Sequence, residues 1–468
     1  MYGAAEMAAR VMQLVAMLWF ARTLSKETYG ELALYISIQQ VITLLGIAGM
    51  VEVTSGHLNR FRAEGALGSL FRNMFTLMNI NLVVICACYL LAYEFMKGFI
   101  GHIPLILNLC IILFGVLTAR LTMSSTVLQL LENHRHAVLV KFLASAGTYG
   151  FAMLGAYLFS TRRIYGFFLG GVAGLVLAYC VKALVVTEYE KDGGGPDKKL
   201  MKSILADSIP FIVVAVFGWL SGQGNNFLIK YFFTNGEIAE YAMAMNFGFA
   251  LLLVQNSVSN VWVPYFYRIA ASRDVRDVNE LNGLVAQGQL LGVSITSGII
   301  LLFFNDLLVL AGGNFIHYLN IRFYLFIVLA GYVLLTAYYR CTHYYLLHGH
   351  GRQFRDIILY SGILGMVLWI ALMWGLGPVG IYIGFLMAMV LRAGAVFRYA
   401  RNNWGVHLAL SDVPLGLVIP LSGLVLGGGA YPLYWRLLFF TAVCAVTAAM
   451  FYFLNNEVIK RHLHGRVA

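Results

Sequence analysis

Residues 20–40 read FARTLSKETYGELALYISIQQ, and Arg22, Lys26, Glu27 and Glu31 fall there between two long apolar runs. The chain otherwise uses charge sparingly, at 11% of residues, so a charged interval flanked by apolar runs reads as a helical hairpin turning at a membrane surface. Ser25 is placed to cap the returning helix, with Lys26, Glu27 and Glu31 facing the outer surface. Composition points the same way. With 60% hydrophobic residues and a mean hydropathy of +0.78, these 468 residues hold more apolar side chain than a soluble globule can hide.

A span needs roughly 20 mostly apolar residues to cross the hydrocarbon core. That ruler places fourteen spans, at about 4–22, 30–50, 70–93, 104–131, 137–160, 164–187, 205–233, 237–266, 283–305, 322–347, 357–376, 378–400, 413–433 and 435–455. All read as helices, because a helix satisfies its own backbone in lipid and the runs lack the two-residue alternation of a barrel. The first segment carries Glu6 and Arg10 and runs into WFARTLS without a small-x-small cleavage site, so it reads as an uncleaved span. The fold class expected is an all-α integral membrane protein.

Basic residues set the orientation. With the N-terminus inside, twenty of the thirty-two Lys and Arg residues fall in the inner loops and tail, and seven in the outer loops. Both termini are therefore expected in the cytoplasm, and the net charge of +11 follows from topology, with no need of nucleic acid as a partner. All six cysteines lie inside spans and read as small apolar fillers. No segment matches the Gly-rich loop ending in Lys-Ser/Thr that cradles a nucleotide phosphate, and no cofactor or metal is called for.

The most polar linker, EYEKDGGGPDKK (188–199), lies after the sixth span and reads as a joint. Beyond it the opening hairpin echoes in FLIKYFFTNGEIAEYAMAMNFGFALLL (227–253). In both, a basic residue ends an apolar run (Arg22, Lys230), a polar turn contains Glu (Glu27, Glu237), and a Tyr precedes a small residue (Tyr29-Gly30, Tyr241-Ala242). LTARLTMSSTVLQLLENHRH (117–136) and LTAYYRCTHYYLLHGHGR (335–352) repeat at nearly the same offset. The expected plan is two duplicated six-helix bundles, 1–190 and 204–403, joined by a linker at 191–203 and followed by two extra helices and a tail at 404–468. Parallel duplication of this kind is a transporter signature, with the substrate expected between the halves.

The turn ARTLSKETYGELALY resembles the first hairpin of the Wzx-type O-antigen and capsule-unit flippases. These are bacterial polysaccharide exporters of the multidrug/oligosaccharidyl-lipid/polysaccharide superfamily. NNFLIKYFFTNGEIAEYAMA is similar to their hairpin between spans 7 and 8. The resemblance implies a transporter in the bacterial inner membrane that moves a lipid-linked oligosaccharide, with polysaccharide polymerase or export machinery as partners. It departs in one place: many members carry an Asp ahead of the span 7 exit, where this chain has Asn225-Asn226, which puts an ion-coupling role there in doubt.

The charges inside the spans carry the chemistry. Arg10, Arg120, Arg340 and Arg392 sit within spans, Arg22 and Lys230 lie nearer their outer ends, and no acid sits in the middle of any span. Each deep arginine costs roughly 2.5–3.5 kcal/mol unless an anion or a wet cavity compensates. Guanidinium groups match phosphate oxygens and stay charged at any working pH, so these six residues are expected to line a cationic cavity for a polyprenyl pyrophosphate. Each also has a plainer reading, which for Arg120 and Arg340 is a structural role. Arg22 and Lys230 snorkel to the interface, Arg10 pairs with Glu6 one turn away, or Arg392 joins Arg398 and Arg401 in the inner cluster.

Gln39, Gln40, Asn79, Asn225, Asn226, Asn246 and Gln255 are candidates either for sugar hydroxyls or for interhelical hydrogen bonds. SGQGNN (221–226) reads either as a bend or as a packing seam. Asp207 and Glu52, near span ends, are the candidates for proton or sodium coupling, with membrane potential as the alternative driving force. Gly166, Gly170 and Gly174 follow a small-xxx-small spacing suited to helix packing. A multidrug antiporter of the same superfamily would call for mid-span carboxylates. A membrane polymerase or glycosyltransferase would call for a large outer loop or an acidic metal motif, and the sequence has neither. The protein is not expected to be an enzyme.

Overall fold

The computed structural model describes residues 2–131, 133–185, 197–270, 272, 274–406, 412–428 and 431–464, all of them in helices, turns or short connections and none in a strand. Two compact units divide the chain, Met1–Ala239 and Glu240–Ala468.

The first unit runs through α1 (Tyr2–Thr23), α2 (Lys26–Ile47), α3 (Met50–Ala63), α4 (Leu67–Ile100), α5 (Leu105–Leu130) and α6 (His134–Phe142). A π-helical turn, Leu143–Gly147, leads into α7 (Thr148–Leu158), followed by α8 (Arg163–Val185), α9 (Lys198–Leu220) and α10 (Asn225–Phe232). Helix α11 (Asn235–Ala270) starts at the end of this unit and carries the chain into the second. There follow α12 (Val275–Ala311), a 3-10 helix at Gly313–Ile321, α13 (Arg322–Leu347), α14 (Gly351–Leu376), α15 (Pro378–Trp404), α16 (Asp412–Leu426) and α17 (Leu433–His464).

Among the described residues, twelve helical stretches are long and apolar enough to cross a bilayer, and the apolar parts of α1 (Val11–Thr23) and α16 (Pro414–Leu426) are shorter. The fourteen expected spans correspond to these twelve plus the two shorter ones. Large apolar side chains stand fully outward along several spans, such as Phe95 at 88% and Leu310 at 85% exposure, as suits a surface bathed in lipid.

Local chemistry sets the ends of the elements. Ser25 caps α2 by accepting a hydrogen bond from the Thr28 amide at 3.3 Å, as its position implies. Asp197 caps α9 through the amides of Lys199 (2.8 Å) and Leu200 (3.3 Å), and its own N–H donates to Asn73 Oδ1 of α4 at 2.7 Å. Gly377, at φ +62°, ends α14, and Pro378 starts α15 in the next residue, giving a tight hairpin of two closely packed helices.

The first division differs from the one the sequence suggests. Most of the linker 191–203, at 191–196, lies outside the described residues, and beyond it α9 packs on α2, α3 and α4, while α10 packs on α2 and α4. The compact unit therefore continues to Ala239. The two echoed hairpins also meet within it. A Cβ on Gly30 of α2 would lie 1.8 Å from the carbonyl oxygen of Asn235, so only glycine admits this approach. Lys26 and Glu31 are not simply surface charges. Both are half-buried; Lys26 lies against the turn holding Gly236 and Glu237, and Glu31 accepts a hydrogen bond from the Tyr35 hydroxyl. Only Glu27 of the three is exposed.

The Gly166, Gly170 and Gly174 stripe packs α8 against α7 and the π-helical turn, as its spacing predicts. A Cβ on Gly166 would lie 2.3 Å from the Gly155 oxygen, and one on Gly170 would lie 2.0 Å from the Phe151 oxygen.

Candidate functional site

Arg120 lies in the middle of α5, a helix packed on α2 and α8, and its half-buried guanidinium turns to α4. Nε and Nη2 both donate to Asn79 Oδ1, at 3.2 and 2.8 Å. The acceptor is a neutral amide, and among the described residues no carboxylate lies within salt-bridge distance of this arginine. Asn79, a candidate sugar contact, is thus committed to holding Arg120. On α2, Gln39 is buried and donates to Thr43 Oγ1 at 2.9 Å, Thr43 donates to the Gly115 carbonyl of α5 at 3.1 Å, and Gln40 is half-buried.

The SGQGNN interruption separates α9 from α10 and is fastened to α2. Asn226 Nδ2 donates to Ser37 Oγ at 2.9 Å and to the Ala33 carbonyl at 3.3 Å, and the Ser37 hydroxyl donates to the Gln223 carbonyl at 2.9 Å. Both Asn225 and Asn226 are buried, so the break is both a bend and a packing seam. Lys230 is engaged at the next turn, its Nζ donating to Asn235 Oδ1 at 2.8 Å. Arg22 is exposed in the last turn of α1, where a cation complements the helix dipole. The side chains of Arg10 and Glu52 lie outside the described residues. Asp207, on α9, is exposed and meets His57 of α3, with Oδ2 and Nε2 3.0 Å apart.

In the second unit Arg340 of α13 is 7% exposed. Asn282 of α12 donates to the Arg340 carbonyl at 3.1 Å and accepts from Trp262 Nε1 of α11 at 2.9 Å. Arg392 of α15 is half-buried and sits beside Tyr332, Tyr338 and Tyr339 of α13. Gln255 of α11 is fully buried; its side-chain amide donates to the Tyr332 carbonyl at 2.9 Å and to Thr336 Oγ1 at 3.1 Å, and its backbone carbonyl accepts from Gln289 Nε2 of α12 at 2.9 Å. Asn246 is buried nearer the start of α11.

Three helices thus share a buried polar seam, of which only Gln255 and Arg340 were candidates by sequence. Asn279, Asn282 and Gln289 recur on one face of α12 at helical spacing, and that spacing was the available signal. It was missed because the ninth span was placed from about 283, whereas α12 starts at Val275 and puts both asparagines inside a long helix. Two pairings were also missed: the contact of His57 with Asp207, and the ion pair of Arg436 of α17 with Asp306 of α12, two-pronged at 2.7 and 3.1 Å.

Helices of bilayer length and apolar side chains turned outward define a multi-pass, all-helical membrane protein. Residues 1–270 match the model of a family described as polysaccharide biosynthesis protein, and the chain belongs to that family. The fold resembles those of solved membrane transporters. It is similar to the lipid II flippase MurJ in an inward closed conformation, at 15% identity and TM-score 0.66, over 99% of each chain. It is also similar to a MATE protein in its straight conformation, at 14% identity and TM-score 0.63, over 86% of this chain and 94% of that one. An inward-facing multidrug resistance MATE transporter of the MOP superfamily matches at 13% identity and TM-score 0.63, over 86% and 98%. A search of curated proteins finds no match.

Proposed function

We propose that the protein is a flippase that moves polyprenyl-pyrophosphate-linked oligosaccharide units from the inner to the outer leaflet of the bacterial cytoplasmic membrane by alternating access. Each unit contributes cations of its own to cargo binding: Arg120, with Arg10, Arg22 and Lys230, in the first, and Arg340 and Arg392 in the second. The observation that carries this reading is the charge of Arg120, which sits mid-span, bonded to a neutral amide and without a carboxylate in reach among the described residues. Insertion of such a charge costs roughly 2.5–3.5 kcal/mol. Asn79 satisfies two of its donors but leaves the positive charge standing, and a pyrophosphate arriving there neutralises it.

Family membership supports a role in polysaccharide assembly, and the likeness to a protein described as a lipid II flippase supports a lipid-linked cargo. Gln39, Gln40, Asn225, Asn226, Asn246 and Gln255 supply amides for sugar hydroxyls when the packing of the spans changes during transport. The basic bias supports both termini in the cytoplasm, and polymerase or export machinery would act on the same pathway. For energy coupling, the Asp207–His57 pair and Glu52 are the proton or sodium candidates, alongside the membrane potential acting on an anionic cargo.

The MATE neighbours favour a second reading, export of cationic drugs, which an interior rich in arginine does not suit. Vesicles containing the purified protein separate the two. A fluorescent polyprenyl-pyrophosphate oligosaccharide should become accessible in the opposite leaflet, while a lipophilic cationic dye should not be expelled under a proton or sodium gradient. Dye efflux without movement of the lipid-linked probe would replace the flippase reading with the exporter one.

A further inference from the structure

Gly283 stands inside α12, where glycine weakens a helix relative to alanine. Its surroundings supply a steric reason. A Cβ at this position would lie 2.9 Å from Nη2 and 3.7 Å from Cζ of Arg340, with no other heavy atom of a neighbouring element within 4 Å among the described residues. The packing glycines of α8 differ, because there the obstacle is the backbone of the facing helix. At Gly283 it is the tip of one flexible cation.

The preceding residue holds the same arginine from its other end. Asn282 Nδ2 donates to the Arg340 carbonyl at 3.1 Å and to Tyr344 Oη at 3.4 Å, and Asn282 Oδ1 accepts from Trp262 Nε1 at 2.9 Å. Tyr344 in turn donates to Asn279, one turn earlier on α12. Helix α12 therefore fixes the backbone of α13 at Arg340 and leaves a notch beside its guanidinium. Arg340 is only 7% exposed, so these contacts act on it together with its other partners inside the protein.

We propose that Asn282 and Gly283 are positioning residues that set the location of the Arg340 charge, and so the geometry of the anionic group it accepts. The inference rests on the reading of Arg340 as a cargo cation; neither Asn282 nor Gly283 touches cargo. A methyl at Gly283 moves the fork without opposing the fold, so stability and transport should part company.

The test compares Gly283→Ala, Arg340→Lys and the double variant in vesicles, using the fluorescent polyprenyl-pyrophosphate oligosaccharide, with Arg340→Ala as reference and melting temperature as the second readout. Gly283→Ala should melt at the parent temperature or about 1–2 °C above it, since alanine is the better helix former. Its transport should fall about tenfold, the scale of a misplaced binding group. In the Arg340→Lys background, where no fork meets the methyl, the same substitution should change transport little. Equal losses in both backgrounds, or a lowered melting temperature with a matching loss of transport, would overturn the positioning role. Full transport by Gly283→Ala beside impaired Arg340→Ala overturns the inference alone; full transport by Arg340→Ala overturns the cargo role of Arg340 and the inference with it.

Discussion

Arg120 and Asn79 show how a single side chain can be satisfied geometrically and remain unsatisfied electrically. Both bonds from the guanidinium reach one amide oxygen, which supplies a strong acceptor but no negative charge. Replacing that amide by a carboxylate, in Asn79→Asp, should pair the arginine permanently. The variant is expected to be at least as heat-stable as the parent and to lose most of its transport, read by melting temperature and by vesicle assay at equal protein abundance. A stable variant that transports normally would remove the reason for keeping the arginine uncompensated. The sequence made Arg120 legible, because a cation about eleven residues from the end of its span stands out. Asn79 was legible only as a polar residue. Its pairing across 41 positions depends on how α4 and α5 pack, which no local pattern encodes.

At the scale of elements, close approach by glycine decides which helices meet. The Gly166 stripe was readable because its period of four is itself the packing pattern, and the structure seats it on α7. Gly30 was visible only as part of a repeated Tyr-small signature, yet it lets α2 lie against the carbonyl of Asn235 in the echoed hairpin. Because that obstacle is backbone and cannot swing away, Gly30→Ala should destabilise by about 1–3 kcal/mol, seen as a lower melting temperature in detergent. An unchanged melting temperature would mean that the two hairpins do not pack this closely. Gly166→Leu should prevent α8 from seating on α7 and lower the yield of folded protein, checked by size-exclusion profile after extraction. The polar seam of α12 was the main loss. Apolar run length set the edge of the ninth span inside the helix, and so hid Asn279 and Asn282 in an assumed loop.

Over the whole molecule, composition and run length made the helical membrane class plain, and the family match and the likeness to MOP transporters agree with that class. The division into units was less readable. The linker 191–203 stands out by its charge and glycine content, but where a compact unit ends depends on packing, and α9 packs with the helices before the linker. The proposed orientation predicts that single cysteines placed in the 188–199 linker and in the C-terminal tail react with membrane-impermeant reagents only from the cytoplasmic side. The central claim, that interior arginines receive an anionic lipid-linked cargo, is tested most directly by one measurement. Vesicles carrying the parent, Arg120→Ala or Arg340→Ala at matched abundance are scored for the movement of a fluorescent polyprenyl-pyrophosphate oligosaccharide between leaflets. The account predicts rapid movement by the parent and a loss of about tenfold or more in each variant, corresponding to at least about 1.4 kcal/mol of lost cargo interaction. Movement at the parental rate in both alanine variants would contradict it.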